Sequence, residues 1–192
     1  MRLTRSSLAA AVTAALLSVA AVAALAFLPR GFREPASARA FRPVWTETHW
    51  PFPVDPWGKG KAFRCKTQDC GGEVHVYVRA KLGFCNCTSG IADDAELDRM
   101  GDLDLIGKRA VPSGPGRPIT VGSMQGRSRV YGVAGSRSSN EAVFSAAFNE
   151  RCDMVAATAL LDHEQPETIE AVVIEFLNSE AMLKWTEITL GL

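Results

Sequence analysis

The sequence predicts an α+β fold, an antiparallel sheet of about six strands covered by helices, with an N-terminal signal or anchor helix ahead of it. Three observations lead there. Val74, Val76 and Val78 alternate with polar residues, two apolar stretches between residues 118 and 161 are each broken by turn residues, and Ile169, Val172, Val173, Phe176 and Leu177 follow at helical spacing.

Residues 1–40 stand apart from the rest. Arg2 and Arg5 precede an uncharged run of 21 residues from Leu8 to Leu28, and Pro29 and the small-residue string ASARA come after it. This is the plan of a secretory signal, and cleavage after Ala38 or Ala40 would leave a chain starting at Arg39 or Phe41. The run is also just long enough to span a bilayer uncleaved. Either alternative makes residues 41–192 a single exported α+β domain, periplasmic or extracellular, whose contact with a membrane is through this segment alone. In the second alternative it is anchored in the inner membrane. Arg30, Arg33, Arg39 and Arg42 beyond the run oppose the usual positive-inside bias, so a cytoplasmic placement is the lesser alternative.

Without residues 1–40 the chain keeps 16 of its 21 basic residues and 20 of its 21 acidic ones. A mildly acidic domain is a poor partner for nucleic acid, whose affinity comes mainly from phosphate neutralisation by Lys and Arg. Its size supports a core without covalent staples.

Residues 41–60, FRPVWTETHWPFPVDPWGKG, hold three tryptophans and four prolines and suggest an extended segment laid over a surface. Trp45, Trp50 and Trp57 are expected to pack in the core or at its rim, with an aromatic binding surface as the alternative. From Glu73 the alternation predicts a half-buried strand, with Val74, Val76, Val78, Ala80, Leu82 and Phe84 on one face and His75, Tyr77, Arg79 and Lys81 on the other. Continued at the same period, it turns Cys85 and Cys87 to the polar face together. Asp93 as N-cap with Glu96 three residues on opens a short helix through Leu97 and Met100. The acids at 93, 94, 96, 98, 102 and 104 lack calcium-loop spacing and suggest a solvated helix face.

Two hairpins are expected next. PITVGSMQ turns at Gly126 into RSRVYGVA, and AVFSAAFN turns at Asn149, Glu150 and Arg151 into CDMVAATALL, with Cys152 as a small core residue. Lys108, Arg109, Arg117, Arg127 and Arg129 flank the first hairpin and are expected to be a solvated sheet edge. Pro166 suits a first helical turn, Asn178 and Ser179 interrupt, and Met182, Leu183, Trp185 and Ile188 suggest a second short helix.

This order of elements over about residues 73 to 177, notably the PITVGSMQGRSRVYGVA and AAFNERCDMVAATALL hairpins before the final helix, resembles the PsbP-like fold of extrinsic photosystem II proteins and small exported bacterial proteins. The resemblance implies an accessory or binding protein and not an enzyme. It carries over no functional residue.

The cysteines are the remaining chemistry. Cys65, Cys70, Cys85 and Cys87 are spaced C-x4-C-x14-C-x-C, with Cys152 apart. In an oxidising compartment an even cluster suggests two disulfides. Alternate residues of a strand are roughly 6.6 Å apart with parallel side chains, too awkward for a Cys85–Cys87 bridge. Pairing of Cys65 and Cys70 with Cys85 and Cys87 is therefore expected, closing loops of about 15 to 22 residues that each stabilise by about 3 kcal/mol. The alternative uses the same four cysteines as a zinc or copper(I) site, or in thiol–disulfide exchange aided by Arg79 and Lys81. No G-x-S-x-G or H-E-x-x-H is present, and His49, His75 and His163 share no ligand spacing. The sequence thus predicts an exported, non-enzymatic binding or accessory domain without a cofactor, whose partner is a protein or small molecule of unknown identity.

Overall fold

The computed structural model describes residues 42–83, 87–106, 109–133, 141–162 and 166–192. Its framework is one antiparallel sheet of eight strands: β1 (Trp45–Thr48), β2 (Lys61–Cys65), β3 (Val74–Lys81), β4 (Ala110–Pro112), β5 (Arg117–Val121), β6 (Met124–Val133), β7 (Glu141–Glu150) and β8 (Asp153–Asp162). The spatial order is β1-β2-β3-β8-β7-β6-β4, and β5 pairs with β6. Four helices accompany it, namely the single turn α1 (Thr67–Cys70), α2 (Asp94–Met100), α3 (Pro166–Leu177) and α4 (Glu180–Leu190). A 3-10 turn, Leu103–Ile106, follows α2. Among the described residues no helix is long and apolar enough to cross a membrane.

The sheet is covered on both faces. Val74, Val76 and Val78 of β3, Phe144, Ala146 and Phe148 of β7, and Val155, Ala157 and Ala159 of β8 meet Ile169, Val173, Phe176, Leu177 and Met182 of α3 and α4 in the main core. The opposite side of β7 and β8 presents Ala147, Met154 and Ala156 to Ile91, Leu97 and Met100 of the α2 region. Small alanines in the two central strands let helices approach from both directions. The β7–β8 ladder runs ten pairs, from Glu141↔Asp162 to Glu150↔Asp153, and forms the spine of the sheet.

Local signals place the helices. Asp93 Oδ1 accepts from the Glu96 N–H at 2.8 Å, as the capping pattern predicts. Pro166 opens α3, and the break at Asn178 and Ser179 separates it from α4.

Four expectations are corrected. The sheet has eight strands and not about six, because β1, β2 and β4 are three to five residues long and too short for a period to register. The first hairpin turns at Gly122 and Ser123, with Gly122 at φ 59°, and Gly126 lies inside β6 opposite Phe148. The second turns at Arg151 and Cys152, so Cys152 is in a turn and not on a strand. Finally, β3 alternates as expected from Val74 to Val78, with His75 and Tyr77 half-exposed, but its polar face is buried at Arg79 and Lys81, which are only 3% and 5% exposed.

Candidate functional site

A groove of about 600 Å³ opens between the β1–β2 edge of the sheet and the helices α3 and α4. Alternation on two short strands builds its floor. In β1, Trp45 lies opposite Cys65 and Glu47 opposite Phe63, so these four share the face that carries the helices, together with Lys61. From above, α3 contributes Val172 and Phe176, and α4 contributes Met182, Trp185 and Ile188. Phe176 is the keystone. Its ring stacks on Trp45 at 4.4 Å and meets Phe63 edge-on at 4.9 Å.

The groove is apolar inside and charged at its rim. Lys61 Nζ donates to Glu47 Oε1 at 2.7 Å, neutralising one pair across the β1–β2 ladder. Lys184 and Glu175 stand on the helical side. A second hollow of about 390 Å³ shares Lys61 and Trp185 with the first and adds Trp57, Lys59 and Leu82. Ile188 is 71% exposed, Leu82 56% and Trp57 39%, so large apolar side chains face solvent along the whole trough.

The three early tryptophans therefore divide. Trp50 is buried against Phe52 and Tyr77, whereas Trp45 lines the groove and Trp57 the second hollow. Trp185, Phe176 and Phe63 complete the aromatic lining without having been singled out as site residues. Their signal was weak because each is also a good core residue of its own element.

The other face of the sheet holds charge. Asp94, Asp98 and Asp102 follow at four-residue spacing from α2 onward and each bonds to groups of the sheet side, Asp102 buried, Asp94 half-buried and Asp98 exposed. Arg127 and the Gly116 N–H bind Asp94, and Arg129 and the Tyr131 hydroxyl bind Asp98. Asp102 accepts Arg79 Nε and Nη2 at 2.7 Å each and lies 2.8 Å from Lys81 Nζ. Asp55, from the loop after β1, receives Arg79 Nη1 at 2.6 Å. Of the groups expected to be solvated, Asp102 is buried and Asp94, Arg127 and Arg129 are half-buried in this network, while Asp93, Asp98, Asp104, Arg109 and Arg117 are exposed as expected. The hydrogen bond from Arg79 holds the Asp55 carboxyl below its usual range. At Asp94 the Gly116 N–H acts first and Arg127 second, to the same effect. Burial, and then the bond to Asp98, push the Tyr131 hydroxyl upward.

Comparison with family models, with curated proteins and with solved structures finds no match for this chain.

The cysteines form two disulfides, Cys65–Cys70 and Cys87–Cys152. The expected cross pairing is corrected on both counts. Cys70 closes on Cys65 through the single turn of α1, and β3 ends at Lys81 so that the following chain reaches the β7–β8 turn. Cys152, expected to be a lone core residue, is the partner of Cys87, while Cys85 lies outside the described residues. With those sulfurs bonded to each other, the tetrathiolate set of Cys65, Cys70, Cys85 and Cys87 is not available to zinc or copper. Among the described residues no group of three or more His, Cys, Asp or Glu is placed to hold a metal ion. Cys65 and Cys70 are 0% and 2% exposed, sealed from attack by a solution thiol. Arg79 and Lys81 are engaged by Asp102 and are not free to stabilise a thiolate at Cys85 or Cys87.

Proposed function

We propose that the chain is an exported, non-enzymatic binding module whose site is the aromatic groove between the β1–β2 edge and α3–α4. One observation carries this: a hollow of about 600 Å³, within the size range of small-molecule sites, is walled by Trp45, Phe63, Phe176, Met182, Trp185 and Ile188. The titratable and hydroxyl groups of its lining are Glu47, Lys61, Glu175, Lys184 and Ser179, and Glu47 and Lys61 are paired with each other. A flat, elongated apolar ligand suits it. The resemblance to PsbP-like accessory proteins agrees with a binding role.

Export is supported by two disulfides, which persist in oxidising compartments, and by the signal pattern of residues 1–40. Intact mass of the exported protein should start at Arg39 or Phe41, and recovery of full-length chain from membranes alone would replace cleavage by anchoring.

The groove is tested with the uncharged fluorophore N-phenyl-1-naphthylamine. Its emission should rise on titration into the full chain and fail to rise with Ala181→Trp, which fills the groove from an exposed position on α4. Equal response from both proteins would remove the groove as the site.

A further inference from the structure

We infer that the ligand is a single-chain anionic amphiphile, its acyl chain in the groove and its acidic head among the rim lysines. This rests on the groove being the binding site. Two features select the chemistry.

The first is what the walls lack. A sugar stacked on Trp45 or Trp185 would leave several hydroxyls needing partners, and each unmade bond is costly. Apart from its charged rim, the groove's polar side-chain groups are the Ser179 hydroxyl and the indole N–H groups of Trp45 and Trp185, too few for the hydroxyls of a sugar. A hydrocarbon chain needs none, and aromatic and methionine walls suit its irregular shape.

The second is the charge at the mouth. Lys59, Lys61 and Lys184 line the two joined hollows, against Glu47 and Glu175. Glu47 is consumed by Lys61 at 2.7 Å. Among the described residues Lys59 and Lys184 have no ionic partner, which leaves two cations facing one carboxylate, Glu175. An acidic head is favoured there and a cationic head disfavoured.

Calorimetric titrations of the full chain with decanoate, decanol and decyltrimethylammonium, each below its micelle concentration, test the inference. Decanoate should bind about fivefold tighter than decanol, with the ammonium weakest, and high salt should erase the difference. Affinity should rise about fourfold per added methylene along the carboxylate series, which corresponds to about 0.8 kcal/mol each. Lys59→Ala with Lys184→Ala should bring decanoate down to decanol and leave decanol unchanged. Ala181→Trp should abolish both.

Equal affinity for the three heads would overturn the anionic assignment while leaving the groove as an apolar site. No binding of decanol, together with no response of the fluorophore, would overturn the groove itself. Binding to phosphatidylglycerol vesicles without binding to decanoate would assign the face to a bilayer surface and refute the single-chain ligand.

Discussion

Cys87 is bonded to Cys152 across 65 residues, tying the chain that follows β3 to the β7–β8 turn. Two hydrogen bonds reinforce the same junction, from the Gly83 N–H to Asp153 Oδ1 at 2.7 Å and from the Ile91 N–H to Asn149 Oδ1 at 3.0 Å. The Cys65–Cys70 bridge spans only five residues. In the chain-entropy picture the long loop stabilises by about 4 kcal/mol and the short one by about 2 kcal/mol.

Cys152→Ala should therefore cost about 3–4 kcal/mol, well above the cost of trimming a small core residue, and should free a second thiol at Cys87. Five cysteines with four in disulfides leave one thiol to titrate in the denatured wild-type protein. Non-reducing peptide mapping should place that label on Cys85. Three labels in the wild type, or a Cys152→Ala melt indistinguishable from wild type, would count against the long bridge.

The buried cluster of Asp102, Arg79 and Lys81 makes an unequal pair of predictions. Removing Asp102 leaves Arg79 and Lys81 buried with one carboxylate fewer between them, so Asp102→Ala should cost about 3–5 kcal/mol. Asp55 also binds Arg79, but its side chain is 34% exposed, and Asp55→Ala should cost under about 1 kcal/mol. Urea unfolding of the two variants should separate them clearly.

Acid should weaken the Asp55 and Asp94 contacts of this network and the separate Glu73 pairs. Asp55, Asp94 and Glu73 all sit below their usual values, held there chiefly by Arg79, by the Gly116 N–H with Arg127, and by Arg64 with His75. A lowered folded value means that the unfolded chain binds more protons, so this stability is fully present above the unfolded carboxylate range near pH 4. It is lost as the pH falls below that range through the folded values. Urea midpoints between pH 7 and pH 2.5 should drop mainly below about pH 4, and Asp94→Asn should flatten part of that fall. A steep loss between pH 6 and pH 5 would point to another group.

Signals confined to one element were legible in the sequence. The Asp93–Glu96 cap, Pro166 and the break at Asn178 are settled within a few residues of chain, and the valines of β3 name their own buried face. Partners across the sheet were not legible. Asp94 and Asp98 share a helix face by their four-residue spacing, Asp102 lies just past the helix end, and Arg127 and Arg129 share a strand face by their two-residue spacing. Only the packing of α2 over β6 brings the stripes together, and without it each looks like a solvated surface. The cysteines failed for the same reason. Extending β3 through Cys87 fixed a geometry that the turn at Leu82 and Gly83 abolishes, and nothing local to Cys152 announces a partner 65 residues earlier.

Gly126 shows how a turn signal can mean close approach. It lies inside β6, opposite Phe148 of β7, and a Cβ added there would come within 2.2 Å of the Ala147 carbonyl oxygen and 2.6 Å of Phe148 Cα. Those atoms belong to the backbone of the sheet's spine and cannot swing aside as a flexible side chain would. Gly126→Ala should therefore cost about 2–3 kcal/mol through displaced strands, a fall in Tm of about 2–4 °C for each kcal/mol. Gly114, between β4 and β5, has no atom within 4 Å of its added Cβ, and Gly114→Ala should change stability by less than about 0.5 kcal/mol. Thermal melts of the two variants side by side provide the check. Equal melts would mean that β6 and β7 are not packed at Gly126 as described, and that the hairpin turns there after all.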